Sequence, residues 1–378
     1  MALLATNPAI PDRDPTRLAQ NLLARMLPRR MEAERRSLWE NVSAHFHVDK
    51  TALPTIPQAF RPSDAFKLAG MGAENLADTR PVLESREALN ELLISGIYGK
   101  YNQASHAWEK VYFPVARPSP NPAQELTFTA LDVSGLENAM LHVPLNARLI
   151  AERVKGLTNS KKEILLVPQQ NSLGEVTVTL PRGVLRLVYS IEIPLSPTPL
   201  EDPDAQAYEK FATKFEKVHG HDLRVPLGQL PYDILMHVRS RSFQALSPKR
   251  KLIEIEGLVR SLGWYDTDNG AVNQAKRDKA PEEQFVLSEQ RLKDLRHQKN
   301  VPAMVGKRFA GVCADFALIT CTLLREAGFL AGIMRGLQLT GKTAAMKNAH
   351  ATAFVAWPDE KGDVRLVSLD GTPSNSDN

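Results

Sequence analysis

At 378 residues, 43% hydrophobic and 24% charged, the chain has a globular composition and enough length to bury a sizeable core in two or three domains. Its formal net charge of +4 comes from mixed signs. Clusters such as Arg29–Arg30, Arg35–Arg36 and Lys249–Lys251 lack the interleaved aromatics of a nucleic-acid platform, so no nucleic-acid partner is expected. No apolar run approaches the ~20 residues that span a bilayer, and Met1–Ala5 is too short for a signal-peptide core. A cytoplasmic setting is the default expectation.

In chain order, residues ~14–45 and ~84–97 read as helical, the first carrying Leu18, Leu22, Leu23 and Met26 at helical spacing. Between them Pro54 and Pro57 resist a regular assignment. From ~109 to ~195 the pattern turns to strands: Leu185, Leu187, Tyr189, Ile191 and Ile193 alternate with Arg186, Ser190 and Glu192, the period of a half-buried strand. Ile164–Val167 and Val176–Leu180 are shorter runs, and Pro181-Arg182-Gly183 supplies a turn. A β-sandwich-like domain is the reading here, and Pro194, Pro197, Pro199 and Pro203 mark a linker after it. Ser247 then caps a helix that opens on Pro248, carries Leu252, Ile255, Val259 and Leu262 as its apolar stripe, and stops at Gly263. Residues ~266–284 read as a loop and ~288–298 as a helix. The expected organisation is a helical region at 1–105, a β-rich domain at 106–200 and an α+β domain at 201–378.

The stretch Gly311-Val312-Cys313-Ala314-Asp315-Phe316-Ala317, leading into a helical pattern that ends at Gly328, puts Cys313 at a helix N-terminus. Unpaired N–H groups and the positive dipole end favour a nucleophilic thiolate there. Cys321 shares a small-residue face with Ala314 and Ala317 and reads as a buried small hydrophobe. On one helix the two Cα atoms are about 12 Å apart, too far for a disulfide. Ala349–Trp357 and Asp363–Asp370 read as a hairpin. If Trp357 pairs with Asp363, His350 stands opposite Asp370 on the same face. The carboxylate can then fix the imidazole tautomer and leave the other ring nitrogen for a thiol.

This order — Gly-x-Cys-x-Asp-Phe-Ala, Leu-Leu-Arg-x-x-Gly, a strand, His-Ala, then an acid before Gly-Thr-Pro, all within residues 311–373 — resembles the transglutaminase-like superfamily. That superfamily also takes in peptide:N-glycanases and bacterial thiol peptidases. The resemblance implies a papain-like α+β core, a Cys-bearing helix packed on an antiparallel sheet, with Cys313 as nucleophile, His350 as base and Asp370 as orienter. It further implies a cofactor-free thiol enzyme that forms an acyl-enzyme on amide bonds of a protein or peptide substrate, resolved by water or an amine. The alternative is a silent fold kept as a protein-interaction module. Two departures stand beside the triad: His-Ala-Trp is here His350-Ala351-Thr352, and Asp-Pro-Thr is here Asp370-Gly371-Thr372. Acyl chemistry also needs an oxyanion hole. The Cys313 N–H is one candidate donor, with Trp264, Gln298 and Asn300 open as the second.

Several patterns compete for attention. Gly336–Thr343 matches a phosphate-binding loop letter for letter, but too little chain follows for the parallel sheet that must surround one, and Leu337 and Leu339 suit phosphate poorly. No nucleotide is expected, and the segment reads as a loop before the His350 strand. His106-Ala107-Trp108-Glu109 reads as the entry to a strand. His45/His47, His219/His221 and Asp266–Gly270 lack the further ligands that a metal site needs. The chain stops eight residues after Asp370, where papain-like cores normally continue, so a longer natural protein is also in view.

Overall fold

The computed structural model describes residues 58–63, 65–67, 80–102, 107–116, 122–160, 162–195, 200–220, 223–225, 227, 232–265, 304–305 and 308–373. The helices expected at ~14–45 and ~288–298 and the loop at ~266–284 lie outside them.

One antiparallel sheet organises the chain. Its main strands are β1 (Pro81–Tyr98), β2 (Ala123–Ala130), β3 (Lys155–Thr158), β4 (Glu163–Leu165), β5 (Val184–Pro194), β6 (Ala331–Ala345), β7 (Ala349–Pro358) and β8 (Val364–Leu369). They lie in the order β4-β3-β5-β2-β1-β6-β7-β8. In β5 the period-2 pattern becomes burial, with Leu187, Tyr189 and Ile191 fully inside.

The segment expected to be helical at ~84–97 is instead strand β1. Its composition, with Leu, Ala and Glu through residues 84–93, favours a helix locally. Pairing with β6 from Pro81 to Tyr98 overrides that preference. The two strands run unusually close: a Cβ on Gly336 would sit 1.9 Å from the Leu93 carbonyl oxygen, so only glycine fits. Gly336–Thr343 therefore lies inside strand β6 rather than in a loop, and it does not lead into a helix N-terminus as a phosphate-binding loop must.

Two hydrophobic clusters flank this pair of long strands. One gathers Phe128, Leu187, Tyr189 and Ile191 from the sheet with Ala139, Leu141, Val176 and Val178 from a separate three-stranded sheet. The second holds the helices α1 (Ala205–His219), α2 (Tyr232–Arg239), α3 (Pro248–Leu262) and α4 (Cys313–Glu326) against β6, β7 and β8. β1 and β6 contribute to both: Leu93 and Leu337 to the first, Ile97 and Ile333 to the second. In α3 the stripe residues Leu252, Ile255 and Val259 are buried, and the Arg250 N–H donates to the Ser247 hydroxyl at 3.4 Å, as a cap should. α4 is buried along its length from Cys313 to Arg325. Its last turn is anchored by Arg325, which donates to the carbonyls of Ala331, Val225 and Gly99.

Candidate active site

Cys313 is the first residue of α4. Val312 before it is extended and, as N-cap, accepts the Asp315 N–H at 2.9 Å. The Asp315 carboxylate accepts the Val312 N–H at 2.9 Å, so this acid closes the helix end rather than facing a substrate. Strand 308–311 feeds the cysteine and pairs in parallel with Gly263–Tyr265. Cys313 is only 2% exposed, and its thiol points to the Ala349 carbonyl at 3.8 Å. Cys321 is fully buried further along the helix, where burial pushes its thiol up against a smaller opposing pull from Arg325.

The hairpin does not take the expected register. Trp357 pairs with Arg365 and Ala353 with Leu369, two residues further along the partner strand than the sequence suggested. A shift of two preserves the face on which each side chain lies, whereas a shift of one would have reversed it. Asp370 falls just beyond the end of β8, yet its Oδ2 meets His350 Nε2 at 2.8 Å. Its Oδ1 accepts the Thr372 N–H at 3.0 Å.

Burial works against a charged His350. Hydrogen bonds to Asp370 and Cys313, and the charges of both, outweigh it and raise the imidazole to about 10. Burial likewise works against the Asp370 carboxylate. The hydrogen bond and charge of His350, helped by Thr372, hold it below the usual carboxylate range. The structure thus brings Cys313, His350 and Asp370 together, with the imidazole between thiol and carboxylate.

Tyr265 is the neighbour that the sequence did not single out. It interacts with both the thiol and the backbone of Cys313, and its ring stacks on Phe316 one turn along α4, centroids 6.5 Å apart and planes 24° from parallel. Burial, then the adjacent Cys313, pushes its phenol up. Its only signal in the sequence was an aromatic residue just after the α3 helix; the parallel pairing of Tyr265 with Gly311, two residues before Cys313, sets it beside the thiol. Gln298 and Asn300 lie outside the described residues, as do His45, His47, His106, His221 and Asp266–Gly270. Among the described residues no group of three or more His, Cys, Asp or Glu is arranged to hold a metal ion.

Neither a protein-family model nor a curated protein sequence matches the chain. Solved structures resemble it at the level of the fold. The periplasmic domain of TgpA from Pseudomonas aeruginosa is 12% identical over 82% of this chain and 93% of that one, with a TM-score of 0.49. The same domain bound to ethylmercury is 11% identical over 82% and 95%, with a TM-score of 0.48. A transglutaminase from red sea bream is 13% identical over 75% of this chain and 53% of its own, with a TM-score of 0.26. The α+β class expected from the sequence agrees with the antiparallel sheet and the helices packed against it. The expected cytoplasmic setting is corrected. Two of the similar structures are of a periplasmic domain, and the lack of a long apolar helix among the described residues identifies no compartment.

Proposed function

We propose that the chain is a transglutaminase-like thiol enzyme acting on amide bonds of proteins or peptides. The observation that carries this reading is the 2.8 Å contact of His350 with Asp370, made by an imidazole that also hydrogen-bonds the helix-terminal Cys313. In the proposed reaction the Cys313 sulfur attacks the amide carbonyl carbon with its proton already held on His350. The carbonyl π pair moves to oxygen. On collapse the C–N bond breaks, and His350 returns the proton to the departing amine. The resulting thioester is resolved by water, giving an acid, or by a second amine, giving a new amide; His350 takes the proton of whichever attacks. Asp370 holds the imidazole's orientation and stabilises the imidazolium.

The developing oxyanion needs two aimed donors. The Cys313 N–H is one, and Tyr265 supports the role of the second because its hydroxyl already reaches the same residue. A substrate carbonyl must displace that hydroxyl from the N–H, after which the phenol O–H is positioned to donate to the same oxygen. Tyr265→Phe should then lower kcat by roughly 10²–10³-fold, the usual cost of losing one oxyanion donor.

A kinetic series on an amide or glutamine-donor substrate tests the reading. Cys313→Ala and His350→Ala should each lower turnover about 10⁶-fold, with little further loss on combination, and Asp370→Ala on the order of 10⁴-fold. Full activity in Cys313→Ala would sink the thiol mechanism. Unfolding of all three variants would return these residues to a structural role and favour the interaction-module alternative.

A further inference from the structure

We propose that Glu256 and Arg260 are positioning residues that clamp the backbone of Asp370 and so fix the carboxylate that His350 contacts. The catalytic consequence rests on the thiol-enzyme reading; the clamp itself does not.

Asp370 has left the sheet. The last pairing in β8 is Leu369 with Ala353, so the next backbone N–H and C=O have no ladder partner. Helix α3, more than a hundred residues earlier in the chain, supplies both. The Asp370 N–H donates to Glu256 Oε1 at 3.3 Å, and Arg260 Nε donates to the Asp370 carbonyl at 2.8 Å. Arg260 Nη2 also donates to Glu256 Oε1 at 2.8 Å. The two residues are four apart on one helix, which places them on the same face. The planar guanidinium fork lets Arg260 make both contacts at once. With Oδ1 on the Thr372 N–H and Oδ2 on His350, every polar group of Asp370 is partnered. One of those contacts bears on His350 directly; the others settle where the carboxylate stands.

Next to it, Gly371 lies bare against Val259 of α3 and Thr320 of α4. The segment carrying Asp370 is therefore docked on two helices rather than held by the strand it extends. Arg260 and Glu256 keep 46% and 28% of their side chains exposed. As an ion pair at that exposure they contribute little to stability, so their loss should be felt in the geometry of the site and only weakly in melting.

The test is an NMR titration of His350 in the full chain with ¹³C-labelled imidazoles, the resonance assigned by its loss in His350→Gln, alongside kcat, KM and thermal melts. Arg260→Ala should move the His350 midpoint down toward the ordinary imidazole range. It should also lower kcat about 100-fold, the cost of roughly 1 Å of misplacement, at nearly constant KM and melting temperature. Arg260→Lys should behave like Arg260→Ala, because a single ammonium cannot reach both acceptors. Glu256→Met, of similar length but with no oxygen acceptor, should shift the midpoint the same way and serves as the deciding variant if Arg260→Ala melts early. An unchanged His350 midpoint in Arg260→Ala or Glu256→Met overturns the clamp, and so does full restoration by Arg260→Lys, which would mean that charge alone acts. The titration is read with or without turnover. Activity surviving in Cys313→Ala would therefore remove the thiol mechanism while leaving the clamp's effect on His350 to be judged separately.

Discussion

Gly371→Ala probes how tightly the Asp370 segment is docked. A Cβ at that position would lie 2.3 Å from Thr320 Oγ1 and 2.8 Å from Val259 Cγ1. Neither neighbour yields easily. Thr320 is fully buried and its hydroxyl donates to the Phe316 carbonyl at 2.8 Å, while Val259 sits at 0% exposure in the core of α3. Restoring ordinary contact needs roughly 1 Å of movement, and overpacking of this kind costs about 1–3 kcal/mol. Because residue 370 is the one covalently next to the clash, the same 1 Å should pass to the carboxylate and cost about 100-fold in kcat. Gly371→Pro, which restores the residue common in the resembled superfamily, also carries a Cβ and should fare no better. The assay is denaturant unfolding with parallel turnover for Gly371→Ala, Thr320→Ala and the double variant. Removing the Thr320 hydroxyl opens the space, so the pair should couple favourably by ~0.5–3 kcal/mol. Wild-type stability and kcat in Gly371→Ala, or strict additivity in the double variant, would refute the packing argument.

Three other outcomes are expected. Lys110 and Glu175 form a buried ion pair at 2.7 Å, with 5% and 2% of their side chains exposed, and Glu175 also accepts the Ile97 N–H at 2.8 Å. Glu175→Ala should destabilise by about 3–5 kcal/mol in denaturant unfolding, since it strands the ammonium, and Lys110→Met combined with Glu175→Leu should recover part of that loss. His350 is raised to about 10 from an ordinary 6.5; its favourable imidazolium contacts stabilise the fold fully below pH 6.5 and are lost as pH rises toward 10. Stability measured across that window should therefore fall more steeply in the wild type than in His350→Gln. Lys342→Ala should leave turnover within a few-fold, and calorimetry with ATP or GTP should give no heat of binding, because Lys342 projects from strand β6 rather than from a loop before a helix.

Local chemistry in the sequence was enough to place Cys313. A glycine before the cysteine, an acid three residues from the cap and a helical stripe after it are short-range signals, and they survive folding unchanged. The Ser247-Pro248 helix start was legible for the same reason. The His350–Asp370 contact came through a register that was off by two, and it survived only because two residues restore the same face. β1 was illegible: its Leu- and Glu-rich segment reads as a helix, and nothing local announces that β6, about 240 residues later, pairs along it. Gly336 was the one hint, yet in the sequence it belonged to a false phosphate-binding pattern. Tyr265 and the Glu256–Arg260 pair depend on where α3 and the strand after it lie relative to α4. That is long-range packing, and no spacing within the chain encodes it.

The most direct test of the thiol mechanism is peptide mapping by mass spectrometry of the native protein during iodoacetamide treatment, with turnover followed on the same samples. The mechanism predicts that Cys313 is alkylated well before Cys321, that turnover falls in step with Cys313 modification, and that His350→Ala slows the reaction at Cys313 alone. Equal labelling of the two cysteines, or turnover that persists once Cys313 is fully alkylated, would contradict it.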